Sequence, residues 1–300
     1  MSIVWKQLKA HKYLYLLGLP GMIYFLVFKY APMYGILIAF QDYSPIVGFW
    51  DSEWVGFKHF ADLFQDPDFW MILRNALAIS LLSLLLFPAP IILALMLNEI
   101  RAQVYKRTLQ TVLYLPHFLS WTVIVSLTYL FLSSEIGFLN KFIAQFGGER
   151  IAFLFNESLF YPIILLQGLW KEVGWETIIY LAAIASVDPA LYEAAKMDGA
   201  GRFKQIWHIT VPCIIPTVVI LFILRMGNVL DLNFEQLWLM QNPLVLKVAE
   251  VFETFVYKVG LGGAQFSYST AVGMFKSVVG FILIFLTNYY VNKKGQEGIW

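Results

Sequence analysis

Cysteine is almost missing: Cys213 is the single one among 300 residues, which excludes an intrachain disulfide and leaves no cysteine cluster for a metal. Its expected role is packing within a helix. The four histidines, His11, His59, His117 and His208, are scattered, and neither an H-x-x-x-H nor a D-x-x-D spacing occurs. The residue sets that a membrane glycosyltransferase or phosphatase would need at a membrane face are therefore not in evidence. No G-x-x-x-x-G-K-[ST] segment is present, so the chain cannot cradle nucleotide phosphates by that device. Charge is scarce: 14% of residues are Asp, Glu, Lys or Arg, against roughly a quarter in an ordinary soluble domain. A net charge of +1 offers no footprint for nucleic acid or a polybasic membrane patch. Internal repeats are lacking too, whereas stand-alone secondary transporters often show duplicated halves.

What fills the chain instead is apolar: 59% of residues are hydrophobic. A helix crossing the hydrocarbon needs about 20 such residues, and six stretches qualify, near 13–36, 73–98, 109–132, 159–185, 213–232 and 268–291. The expected class is all-α, a polytopic membrane protein with six transmembrane helices. The second and third stretches are the clearest, since 75–98 and 108–132 contain no Asp, Glu, Lys or Arg. Lys29 sits late in the first, Lys171, Glu172 and Glu176 interrupt the fourth, and Arg225 interrupts the fifth. Lys6, Lys9 and Lys12 before the first stretch imitate a signal peptide, but the apolar run is too long and no A-x-A site follows. It reads as a retained first span.

Orientation follows from Lys and Arg outside the spans. With the N-terminus inside, one side receives Lys6, Lys9, Lys12, Arg101, Lys106, Arg107, Lys196, Arg202, Lys204, Lys293 and Lys294, eleven in all. The other receives five: Lys58, Lys141, Arg150, Lys247 and Lys258. An N-in, C-in arrangement is favoured, with residues 1–12, the 186–212 loop and 292–300 in the cytoplasm. Outer segments are then 37–72, 133–158 and 233–267. The first is acidic and aromatic, suited to a small folded cap, a docking surface or an ordinary solvated loop. The last holds Val248, Val251, Phe252, Phe255 and Val259 at helical spacing, which predicts an amphipathic helix over 245–259 lying flat on the outer face.

The 186–212 loop has strong local signals. Asp188-Pro189 opens a short helix, because Asp is a favoured N-cap and proline suits the first helical position. Ala194 and Ala195 leave room for a partner backbone, and Gly199 ends the helix or permits a sharp bend. Arg202–His208 forms a second short helical piece before Pro212 and Pro216. Capping alone fits a plain connector equally well. Glu193-Ala194-Ala195, Gly199 and Ile209-x-Val211-Pro212 stand at fixed offsets, however, and this pattern resembles the cytoplasmic EAA loop of ABC importer permeases, with Val211 where leucine is usual.

The resemblance runs from about residue 70 to 291 and is closest to the maltose-type sugar branch, in its polysaccharide and oligosaccharide subgroup. WKEVGWETIIYLAAIASVDPALYEAAKMDGAGRFKQIWHITVP and NFEQLWLMQNPLVLKVAEVFETFVYKVGL carry it. It implies a non-catalytic permease in a bacterial plasma membrane, paired with a second homologous permease as a heterodimer. Two ABC ATPase subunits would bind ATP and Mg, and an extracytoplasmic solute-binding protein would deliver an oligosaccharide. This chain itself would hold no cofactor. Another small solute is the alternative cargo. The resemblance further implies ATPase contact through Glu193, Ala194, Ala195, Asp198, Gly199 and Ala200.

Candidate pathway residues come partly from the family, in which substrate contacts gather about the middle of the fifth span, and partly from intramembrane charge, which is costly and usually faces a cavity or partner. The family region corresponds to Asn228, Asp231, Asn233, Phe234 and Glu235. Trp170, Glu172, Glu176 and Arg225 add a ring and charges within the spans. Glu172 and Glu176 share a helical face, and Lys171 lies roughly 20 Å from one end of its span at 1.5 Å per residue, near the midplane. Arg225 is expected to pair with Glu172 or Glu176 or to line the pathway; snorkelling or bracing of the bundle fits as well. Aromatic residues make up 17% of the chain, suited to stacking on sugars, though most serve lipid-facing surfaces and belts.

Overall fold

The computed structural model describes residues 10–295 and 298–299. Lys6 and Lys9, two of the cations that orient the chain, lie outside the described residues, as do Gln296, Glu297 and Trp300 of the expected C-terminal tail. The chain divides into two compact units, one from residues up to 66 with 258–274, the other from 67–257 with 275 onward.

In the first unit, helix α1 (Lys12–Phe25) continues through a widened turn at Leu26–Tyr30 and a tightened stretch at Ala31–Phe40. Together they make one apolar run, Lys12–Phe40. Pro32, at the start of the tightened stretch, has no N–H for the regular ladder, so the hydrogen-bond pattern must change there. Gln41 is extended and ends the helix. Strands β1 (Gln41–Asp42) and β2 (Glu53–Trp54) then pair antiparallel, Gln41 opposite Trp54. Helix α2 (Lys58–Gln65) buries His59 and Leu63, and His59 Nε2 lies 3.0 Å from the Gln41 carbonyl. The Tyr268 hydroxyl donates to Asp66 at 2.8 Å. Residues 41–66 are therefore folded and not a plain solvated loop.

The second unit begins with α3 (Phe69–Leu85) and α4 (Pro88–Glu99), which together form an apolar run, Phe69–Glu99. Helices α5 (Gln103–Tyr114) and α6 (Trp121–Leu132) follow, joined by a tight turn at Leu115–Phe118 and bent by 101°. The 109–132 stretch, one of the clearest expected spans, is thus broken and not straight. Pro116 starts the break, Leu119 and Ser120 are extended, and Ser120 Oγ caps α6 by accepting Val123 N–H at 3.3 Å. Helix α7 (Phe138–Gln145) precedes the long α8 (Glu157–Ala185), capped by Asn156. Helix α9 (Pro189–Met197) leaves α8 at 68°. Then come α10 (Arg202–Gln205), a widened turn at Ile206–Thr210, and α11 (Val211–Gly227), which ends short of the 213–232 expectation. Cys213 lies on α11 but is exposed, so it does not pack inside the chain.

The expected single helix over 245–259 is also corrected. Following α12 (Phe234–Met240), it is split into α13 (Leu246–Ala249) and α14 (Phe252–Val256) by extended Val251. Val245, Val251 and Phe252 are buried, and the two valines sit in a core with Ile79, Ile164, Leu237 and Met240. Tertiary burial overrides the flat surface helix that periodicity alone suggests. The final helix, α15, is Phe266–Lys293. Among the described residues, four helical runs are long and apolar enough to cross a membrane, or up to six if each bent pair counts as one.

Lipid tails are as apolar as leucine, so packing and interhelical hydrogen bonds hold such helices together. Buried Asn75 on α3 donates to the carbonyls of Lys247 and Glu250 and accepts from Tyr161. Gln167 on α8 donates to Thr128 at 2.6 Å and accepts from Gln236 at 3.0 Å, tying α8 to α6 and α12.

Candidate functional site

The loop between α8 and α11 forms as its caps dictate. Asp188 accepts Ala190 N–H at 2.9 Å and Pro189 takes the first helical position. At the other end Gly199 has φ +74°, its N–H reaches the Lys196 carbonyl, and Ala200 N–H reaches the Ala195 carbonyl at 2.8 Å. That pair of bonds is a Schellman cap, which needs a residue tolerant of positive φ. Gln205 then donates to the Ala200 carbonyl at 2.7 Å, Tyr192 hydrogen-bonds Thr210 at 2.9 Å, and Arg202 lies 3.8 Å from Glu99. The loop is braced against the ends of both α4 and α11.

Glu193, Ala194, Asp198 and Gly199 are exposed on this braced piece, while Ala195 and Ala200 are half-buried. Beside them Met197 and Phe203 project at 88% and 80% exposure. Sequence reasoning passed over these two; the signal was there, since large apolar residues in a polar loop have no partner of their own. A hollow of about 350 Å³ lies behind α9, lined by Glu99, Tyr192, Glu193, Lys196, Gln205 and Thr210 among others.

A second cluster forms where α8 passes the break between α5 and α6. Lys171, 7% exposed, donates to the carbonyls of His117 and Leu119, both at 2.6 Å, and its ammonium lies 5.6 Å from the Trp121 ring centre. The bend exposes carbonyls that no helical N–H reaches, and the lysine satisfies two of them. Glu172 meets His117 Nδ1 at 2.8 Å, and the His117 ring stacks on Trp175 at 4.3 Å. His117 and Trp175 had no local sequence signal, because the pairing depends on the bend.

One turn further along, Glu176 meets Arg225 of α11 at 3.1 Å. Of the two partners expected for Arg225, the structure pairs it with Glu176 and gives Glu172 to His117. Both acids and Arg225 border a cavity of about 470 Å³, together with Asn228, Asp231 and Asn233. The structure thus gathers six expected pathway residues on one wall. Trp170, Phe234 and Glu235 are not on it. Phe234 stacks with Trp238 and contacts Tyr257, Glu235 accepts from Thr122 at 3.1 Å, and Trp170 is half-exposed on α8. Ser80, Ser83 and Gln236 line the cavity unannounced by sequence.

Asp231 is held by Lys276 of α15 at 2.8 Å, and Lys276 also grips Glu253 of α14. Glu253 in turn accepts Leu232 N–H at 3.1 Å. The irregular segment after α11 is therefore fixed by a shared ammonium. Among the described residues, no group of three or more His, Cys, Asp or Glu is placed to hold a metal ion. The polar wall offers donors and acceptors for a hydroxylated solute but no nucleophile with an attendant base.

Comparison with known proteins agrees with this geometry. Residues 86–295 match the family described as the binding-protein-dependent transport system inner membrane component. The protein LplB of Bacillus subtilis is 56% identical over 98% of this chain and 92% of its own length. The polygalacturonan/rhamnogalacturonan transport system permease protein YteP of the same organism is 55% identical over the same shares. A chain from the crystal structure of a bacterial alginate ABC transporter, in complex with an alginate pentasaccharide-bound periplasmic protein, superposes with a TM-score of 0.90. It is 39% identical and is covered over its full length by 99% of this chain. The chain belongs to the binding-protein-dependent transport system inner membrane component family. It is a permease subunit of an ABC importer: it supplies membrane path and not nucleotide chemistry.

Proposed function

We propose that this chain is one half of a heterodimeric importer that takes up oligosaccharides released from polysaccharides. Six spans with both termini in the cytoplasm put the 186–212 loop on the ATPase side of a bacterial plasma membrane, and the Lys and Arg distribution supports that orientation. An extracytoplasmic binding protein delivers cargo to the outer mouth. Two ATPases, holding ATP and Mg, seat the two coupling loops. Their closure on ATP turns the helices from inward-facing to outward-facing, and hydrolysis resets them.

In the loop, Glu193, Ala194, Ala195, Asp198, Gly199 and Ala200 contact the ATPase. The braces to α4 and α11 let a push on α9 move the wall-bearing helices instead of bending a slack connector. Asn228, Asp231, Asn233, Glu172, Glu176 and Arg225 border this chain's share of the pathway.

The observation that carries the cargo reading is the polar-lined cavity of about 470 Å³, in a chain whose relatives are named for glycan polymers. The decisive experiment reconstitutes the chain with its second permease, ATPases and binding protein, then measures oligosaccharide uptake with and without ATP. ATP-dependent uptake that requires the binding protein is expected. Uptake that persists without any ATPase would sink the reading.

A further inference from the structure

Three carboxylates border the cavity, and each meets a nitrogen-bearing side chain from a different element: Glu172 meets the His117 imidazole, Glu176 meets Arg225, and Asp231 meets Lys276. Of these three partners only Arg225 is itself part of the wall. Lys276 is nearly enclosed, at 14% exposure, whereas Arg225 and Glu176 are 40% and 37% exposed. The wall thus presents a single guanidinium, and a carboxylate already occupies it in a position that a solute can reach.

We infer that Arg225 selects acidic cargo by exchange: the carboxylate of a uronic-acid-bearing oligosaccharide displaces Glu176 from the guanidinium as it enters the cavity. The inference rests on the oligosaccharide reading and adds the charge class of the sugar. Both carboxylates make the same kind of bond to arginine, whose planar fork accepts either one. A neutral sugar hydroxyl cannot compete on those terms, because it brings no opposite charge and cannot make the two-point contact that a carboxylate makes with the guanidinium fork. Neutral cargo therefore leaves the pair closed. Glu172 and Asp231 do not repel the incoming acid as free charges would, because Lys276 sits on Asp231, and Glu172 has His117 at 2.8 Å and the Lys171 ammonium at 4.0 Å.

The test uses the assembled importer in proteoliposomes with its own binding protein, and two labelled cargoes: trigalacturonate and the trisaccharide made by reducing its carboxyl groups. The readout is the ratio of acidic to neutral uptake. Because the binding protein is the same throughout, its own preference cancels between variants. Arg225→Gln is expected to lower the ratio about tenfold or more, the loss of one charge-assisted contact. Glu176→Gln is expected to move the other way, lowering the trigalacturonate concentration needed for half-maximal uptake, since no fixed acid then competes. A pair that only braces the bundle predicts parallel losses of both cargoes in both variants, and that result would overturn the inference. Wild-type importer that takes up neither cargo with ATP would instead remove the oligosaccharide reading beneath it, and that failure shows before any substitution is made.

Discussion

The ammonium of Lys171 and the carbonyl oxygen of His117 meet at 2.6 Å, although 54 residues separate them. A lysine on one helix closes the open backbone of a break in another. Ionisable groups within membrane spans are costly and are found paired with each other or with carbonyls, and this one takes two carbonyls at once. Lys171 is then a structural clamp at the bend, not a snorkelling side chain.

Replacing it tests that role directly. Lys171→Met should leave the His117 and Leu119 carbonyls, both only partly buried, without this donor, at about 1–3 kcal/mol in all. Denaturant unfolding in detergent should register the loss. Stability equal to wild type would mean that the clamp is not needed at the bend.

Gly199 separates backbone shape from side-chain space. A Cβ there would meet nothing within 4 Å, so only φ +74° restricts the position. Gly199→Asn should keep the cap, because asparagine tolerates left-handed backbone, whereas Gly199→Val should strain it by about 1–2 kcal/mol. Valine should uncouple ATPase stimulation by loaded binding protein while leaving membrane insertion intact. Equal coupling in both variants would show that the bend is not what transmits the motion.

The Lys276 ammonium, shared by Asp231 and Glu253, is suited to a double-mutant cycle. Removing one partner of a buried pair strands the other, at about 3–5 kcal/mol. Lys276→Met should therefore be much less stable than wild type, and adding Glu253→Gln should recover part of the loss. Additive losses would show that the pair is not coupled.

Gly174 tests the packing of α8 on α5. A Cβ added there would sit 2.0 Å from the Leu113 carbonyl oxygen, a backbone atom that cannot swing aside. Gly174→Ala should cost about 1–3 kcal/mol through overpacking, read as a lower unfolding midpoint in detergent. An unchanged midpoint would mean that the two helices separate freely.

Much of this site was legible where its chemistry is local. Asp188, Pro189 and Gly199 act on backbone groups within a few residues, so their spacing alone announces a short capped helix. Arg225, Glu172 and Glu176 were noticeable because charge in an apolar run is rare. Their actual partners were not legible: nothing near Glu172 in sequence indicates His117, and nothing near Asp231 indicates Lys276. The broken third span misled for a related reason. Residues 108–132 lack charge and look continuous, and a single proline does not reveal that a lysine on another helix will stabilise a 101° bend. The 245–259 segment misled by periodicity, since a buried pair of short helices can carry the same apolar spacing as one surface helix.

By itself the sequence determined that this chain is a helical membrane protein with no nucleotide-binding loop and with a rigid, capped loop between two apolar stretches. Those properties arise from composition and from hydrogen bonds that close within a single turn. Tertiary structure alone decided which charge meets which, that the chain bends between α5 and α6, and that one arginine faces the cavity with its acid beside it. Such pairings join groups from 23 to 55 residues apart, and only packing brings them within a few ångströms.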